Sequence, residues 1–208
     1  MLANLNGKPL VRYVYDKCAA TGFDTYVITP DILIADVVPN SIIVGDADNG
    51  TERCMMVIDE QLHYDRYINV QGDMPDITVD IIRAVEKKLQ DADVSTAYTK
   101  MDINQRQNPN TVKLIHSQDR AHWFCRAALP YGDHHLGIYG YNRESKIIYT
   151  ASKKFIEEYI EKLEQLRWLQ NDVKISVVEV EFNGIEINTP IDLEEWHRRK
   201  DSGYHIWT

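Results

Sequence analysis

A chain of 208 residues, 44% hydrophobic and 26% charged, can bury one medium-sized core. It has no apolar run long enough for a transmembrane helix and no charged-then-apolar N-terminal layout, and Cys18, Cys54 and Cys125 are too scattered for a disulfide framework or a zinc site, so a reducing, cytoplasmic setting is expected. The formal net charge of −9 argues against sequence-independent nucleic-acid binding and means that any anionic substrate needs local cations or a metal ion.

Taken in chain order, strand and helix alternate. The stretch "KPLVRYVYDKCAAT" (8–21) has apolar residues at helical spacing with Pro9 near its start and Gly22 as a stop. "DTYVIT" and "SIIVG" read as strands, "TERCMMVIDEQL" (51–62) as a helix, and "RYINV" (66–70) as a buried strand. "ITVDIIRAVEKKLQ" puts Ile77, Ile81, Ile82, Val85 and Leu89 on one helix face, and "DVSTAYTK" is a further strand. This βα repetition predicts an α/β fold with a mixed, mostly parallel central sheet.

The middle differs. "TVKLIHS", "HWFCRA" and "HHLGIYGY" predict an antiparallel insertion, about residues 108–142. A long helix is expected over Ser152–Asn171 on the period of Ile156, Tyr159, Ile160, Leu163, Leu166 and Leu169. "VKISVVEVE" is a strand, and Thr189 and Pro190 mark the start of a last helix. The tail "DSGYHIWT" reads as a loose end or as packing through Trp207. The whole reads as a single domain.

Ligands of open α/β sheets bind beyond the carboxyl ends of the strands, where Gln71, Gly72 and Asp73 follow "RYINV". A carboxylate there can hold a magnesium ion that bridges phosphates, although a helix-capping aspartate is the commoner role. Asn49, Gly50, Thr51 and Arg53 offer backbone N–H groups and a guanidinium at a helix start, or form an ordinary N-cap. Arg126 ends an apolar strand, where a guanidinium suits a carboxylate ligand or a surface ion pair. His135 leads the glycine- and tyrosine-rich "HHLGIYGY", where histidine is more often structural. Glu158, Glu161 and Glu164 recur on "EYIEKLEQLRW" as a solvated face, or else Glu164 and Gln165 face a polyhydroxylated ligand. Asn188 lies at a strand end and can give a metal ion a neutral oxygen.

Eight stretches occur in one order: "LNGKPL", "GTER", "INVQGDMP", "NPNTVK", "CRAALP", "HLGIYGY", "LEQLR" and "NTPIDL". Together they resemble the cytidylyltransferases that make CMP-sugar acids, above all the 3-deoxy-manno-octulosonate (Kdo) cytidylyltransferases. The resemblance runs from Leu5 to Leu193 and implies a Rossmann-like nucleotidyltransferase fold. It implies the reaction of CTP with Kdo to give CMP-Kdo and pyrophosphate, with Mg²⁺ on Asp73 and Asn188. Gln71 would touch the sugar, Arg126 and His135 would hold the sugar acid, and Glu164 and Gln165 would meet its hydroxyls. Asn49, Gly50, Thr51 and Arg53 would line the cytosine and ribose pocket. A homodimer built partly through the insertion, and a place in lipopolysaccharide synthesis, are implied as well.

Three features depart from the family pattern. An aspartate is normal where Asn188 stands, so weaker metal binding is expected. The family's first strand and its basic phosphate loop precede the equivalent of "LNGKPL", so a gap at the middle of the sheet is expected. The loop between Pro130 and His134 is short. Two alternatives stay open: a relative acting on sialic or another nonulosonic acid, and an inactive homologue that binds nucleotide or sugar.

Overall fold

A computed structural model describes residues 1–202; Trp207 and its expected packing lie outside the described residues. A short antiparallel pair, β1 (Asn4–Leu5) and β2 (Lys8–Pro9), leads into helix α1 (Leu10–Ala19), which buries Leu10, Val11, Val14 and Tyr15. Strands β3 (Val27–Thr29) and β4 (Ser41–Ile43) pair in parallel across the short helix α2 (Ile32–Ala35). Helix α3 (Gly50–Met55) is capped by Asn49, whose side chain accepts from the Glu52 amide. It stops short of the expected Leu62.

Strand β5 (Arg66–Val70) and helix α4 (Val79–Leu89) follow. Thr78 caps α4, and Ile81, Ile82, Val85 and Leu89 form its buried face. Then come β6 (Val94–Thr99), a 3₁₀ turn at Ile103–Gln107, and β7 (Lys113–Ser117), β8 (Arg120–Cys125) and β9 (Asp133–Asn142). These three strands are the expected insertion.

The main sheet has the order β5-β9-β6-β10-β8-β7, where β10 is Ile175–Glu179. It is mixed: β10 runs parallel to β6, whereas β9 lies antiparallel to both β5 and β6. The antiparallel share exceeds that suggested by the βα rhythm because β9, ten residues long, wedges between strands that would otherwise neighbour each other. One face of β9 sends Leu136 and Ile138 to α4; the other sends Tyr139 and Tyr141 into a second core around Trp168.

The strands β3 and β4 form a separate sheet. A cavity of about 730 Å³ opens between them and β5, lined by Val27–Thr29 on one side and Arg66–Val70 on the other. Tyr67 to Val70 are therefore only half-buried, in contrast to the buried strand expected.

The helix expected over Ser152–Asn171 is interrupted. Helix α5 (Arg143–Ala151) precedes it, and α6 (Ile156–Glu161) ends where Lys162 turns left-handed at φ 54° and ψ 49°. A last short turn, α7 (Leu166–Leu169), points back into the core. Each piece keeps helical spacing, so apolar period alone joined them. Helix α8 (Pro190–Asp201) starts as expected, with Thr189 and Asp192 forming a reciprocal capping box.

Candidate active site

The chain bends out of β5 at Gln71, whose amide donates to the Gly137 carbonyl of β9 at 3.1 Å. The Gln71 side chain lies over Gly137, and a Cβ there would come within 2.8 Å of its Oε1 and displace it. Two residues on, the Asp73 carbonyl accepts from the Ile187 amide at 2.8 Å. This bond sets the segment 185–188 beside the end of β5. Ile187 packs with the Leu5, Leu10 and Trp196 cluster, so along this extended segment its neighbours Glu186 and Asn188 face the other way. Asp73 and Asn188 thus come from distant parts of the chain to adjoining backbone.

The Asp73 Oδ1 is buried and has no hydrogen-bond partner among the described residues. Burial raises its carboxyl above the ordinary value, against the pull of its own amide and the chain's amino terminus. Asn188 is exposed, and its amide donates to the Asp192 carboxylate. Glu186, which sequence reasoning passed over, has a buried, unpartnered Oε1 lying 4.0 Å from the His134 Nε2. Burial, and then the Asp73 charge, pushes Glu186 up to about 8. The signal was available in "GIEIN", where polar residues at 186 and 188 alternate with isoleucines.

A buried carboxylate oxygen without a partner beside a second carboxyl is a poor state for an anion and a good one for a hard cation. The residues present therefore fit Mg²⁺. Asp73 and Asn188 would hold it.

Arg126 follows β8 and approaches Glu186 and Glu164 electrostatically. Its Nε donates to the Glu161 carbonyl at 3.0 Å, and its Nη1 to the carbonyls of Pro109 and Asn110. Its own amide donates to the Glu161 carboxylate at 2.6 Å. One edge of the guanidinium is thus fixed by the protein, and among the described residues Nη2 makes no hydrogen bond. Buried Lys113 braces the same loops, donating to the Asn108 and Arg126 carbonyls at 2.6 and 3.0 Å.

His135 is buried and neutral, since burial and then the His134 and Arg126 charges pull it down to about 3. The Thr96 hydroxyl donates to the Ile138 carbonyl at 2.6 Å, and the His135 Nε2 lies 2.9 Å from the same hydroxyl. The hydrogen-bond network therefore assigns the proton to Nε2, leaving Nδ1 as an acceptor. His135 offers a sugar acid no positive charge and no free N–H, and it can only accept from a hydroxyl.

The remaining residues form a second group. The Thr51 hydroxyl, fully buried, donates to the Glu164 Oε1 at 2.9 Å. Thr51 thus braces α3 against Glu164, whereas Gly50 and Arg53 line the cavity beside β5. Arg53 Nε is buried without a partner, as are both amide atoms of Gln165. Asn49 is spent on the helix cap. The acidic run of α6 is not a solvated face. Glu158 is buried with Arg167, Glu161 holds Arg126, and Glu164 holds Thr51. Arg167 also pairs with Glu52 at 2.8 Å, tying α3 to α7. Burial alone would raise the Glu52 carboxyl, but Lys154 and Arg167 hold it below the usual value.

A mixed sheet flanked by helices, with its polar cluster beyond the carboxyl end of β5, is the architecture of nucleotidyltransferases. A solved glucose-1-phosphate thymidylyltransferase from Bacillus anthracis shares this fold at a TM-score of 0.70 and 15% identity, covering all of this chain and 87% of its own. The chain belongs to the cytidylyltransferase family, whose model matches residues 1–175. Among its relatives is a 3-deoxy-manno-octulosonate cytidylyltransferase of Bartonella henselae, 35% identical over 93% of this chain and 88% of its own length. The enzyme of that name from Brucella anthropi is 32% identical over 93% and 86%. A structure of CMP:2-keto-3-deoxy-manno-octonic acid synthetase solved with CTP superposes at a TM-score of 0.89 and 27% identity, covering 97% of this chain and 91% of its own.

Proposed function

We propose that the chain is a 3-deoxy-manno-octulosonate cytidylyltransferase, joining CTP and Kdo to give CMP-Kdo and pyrophosphate. The observation that carries this reading is the meeting of Asp73 with the 185–188 segment at the end of β5, next to Gln71 and within the field of Arg126. The anomeric hydroxyl of the sugar forms a bond to the α-phosphorus of CTP, and the bond from that phosphorus to the pyrophosphate oxygen breaks. The hydroxyl proton passes to solvent. Such displacements depend on alignment and charge neutralisation more than on covalent help from the protein.

Mg²⁺, when bound, neutralises phosphate charge and orients the oxygens of the reacting groups. Asp73 and Asn188 hold it, and Gln71 contacts the sugar. Arg126 receives the sugar carboxylate on its free edge, and His135 Nδ1 accepts from a sugar hydroxyl. Gly50 and Arg53 border the nucleotide. Gln165 has unmatched amide atoms for a hydroxylated ligand.

A homodimer belongs to the same proposal. It is supported by exposed Ile156, Tyr159 and Ile160 on α6 and Ile147 on α5. Among the described residues no helix is long and apolar enough to cross a membrane. A cytoplasmic site of action, where CTP is made, and supply of CMP-Kdo to lipopolysaccharide complete the reading.

Pyrophosphate release from CTP, Kdo and Mg²⁺ tests the proposal. Release is expected with Kdo in preference to sialic acid, and replacing Arg126 by Lys should raise the KM for Kdo. Absence of release with either acid, at any Mg²⁺ concentration, would overturn it.

A further inference from the structure

The pairing of a metal with one aspartate and one asparagine leaves a charge unaccounted for at this site. Glu186 lies on the same side of its segment as Asn188, because the bond from the Ile187 amide to the Asp73 carbonyl fixes that segment and turns Ile187 into the core. Among the described residues, Asp73 Oδ1 and Glu186 Oε1 are each buried and each without a hydrogen-bond donor. Among the described residues the nearest ion-pair partner of Glu186 is His134 at 4.0 Å, and no lysine or arginine pairs with Asp73. The two acids come from opposing segments; Arg126 acts on Glu186 and the amino terminus on Asp73 through their fields, and among the described residues neither cation forms an ion pair with them. Native proteins rarely leave buried polar atoms orphaned unless something else completes them.

We propose that Glu186 is a direct ligand of the divalent cation, supplying the negative oxygen that Asn188 lacks. This rests on the metal-dependent reading above. A hard cation favours anionic oxygen over an amide carbonyl, and its affinity rises with the number of charged ligands. Asn188, exposed and held by Asp192 through its backbone, is then a lesser, neutral contributor. Sequence gives a reason for the arrangement: an acid at 186 and an amide at 188 divide between two positions of one segment the oxygens offered to the ion.

The test is Mn²⁺ binding to the full chain, read by electron paramagnetic resonance and by the metal-induced rise in melting temperature, each with and without CTP. Glu186→Gln should weaken Mn²⁺ binding by about tenfold to a hundredfold, the scale on which support of a metal site is lost. Asn188→Ala should weaken it by less. Without metal, Glu186→Gln should melt no lower than wild type, because among the described residues no hydrogen bond to the Glu186 Oε1 is lost. Glu186→Ala takes away the same oxygens and gives a second reading. If both Glu186 variants bind Mn²⁺ like wild type while Asp73→Asn has lost it, the Glu186 assignment falls and the site reading stands. If wild type binds no Mn²⁺ in either condition, or if Asp73→Asn also binds like wild type, the site reading itself falls.

Discussion

The indole N–H of Trp196 donates to the Asp76 Oδ1 at 3.1 Å, deep in the protein. The other carboxylate oxygen, Oδ2, accepts from the Ile185 amide at 3.1 Å, and Lys200 pairs with Oδ1 at 3.4 Å. Asp76, at the turn into α4, thereby holds α8 and the segment that carries Glu186 and Asn188. Gly184 permits this, since a Cβ there would overlap the Asp76 side chain. Asp76→Ala would strand two buried donors and should cost about 2–4 kcal/mol. Urea unfolding measures that loss. The same variant should bind Mn²⁺ more weakly, because segment 185–188 loses its anchor.

Stability should fall as pH drops below the ordinary histidine value of 6.5. His135 is neutral in the fold and protonates only near about 3, whereas the unfolded chain takes up that proton near 6.5. Between those values the unfolded state binds more protons, so stability increases with pH across the window. His134, pulled down to about 4 chiefly by burial, adds to the same slope. Melting temperature between pH 7 and pH 5 should decline in wild type and decline less in His135→Gln. An NMR titration showing His135 protonated at pH 6 in the folded protein would contradict the assignment.

Light scattering should give the mass of two copies for wild type, if the apolar surface of α6 joins protomers. Ile156 and Ile160 lie one turn apart and are among the most exposed isoleucines described, with Tyr159 beside them. Replacing both isoleucines by Lys should yield a folded monomer, since neither side chain supports the core. A dimer that survives both substitutions would place the interface elsewhere.

Elements whose signal is local were legible in the residues alone. Thr189 caps α8 as its side chain suggests, and β7 to β9 fall where their apolar stretches place them, whereas α4 starts after Thr78 and leaves Ile77 outside the helix. Candidate residues stand out in the sequence where a turn leaves a strand, as at Gln71 and Asp73. What was not legible depended on contacts far apart in the chain. Nothing near Glu158 announces that Arg167, which also reaches Glu52, will pair with it in the interior, and nothing near His135 announces that Thr96 will fix its proton. Glu186 gains its significance only from the backbone bond between Ile187 and Asp73.

Lys162 is the point at which periodicity misled, and it yields the sharpest stability prediction. At φ 54° and ψ 49° a lysine Cβ crowds the backbone, at a cost of roughly 1 kcal/mol relative to glycine. The turn is retained because it reverses the chain and sends Glu164 to Thr51 and Arg167 to Glu158, neither of which a continuous helix could reach. Lys162→Gly should therefore stabilise the protein by about 0.5–1 kcal/mol, even though glycine is a poor helix former. Lys162→Val, branched at Cβ, should destabilise it by about 1–2 kcal/mol. Denaturant midpoints at constant m-value measure both. If glycine destabilises and valine does not, residues 156–169 form the unbroken helix that their apolar spacing suggests.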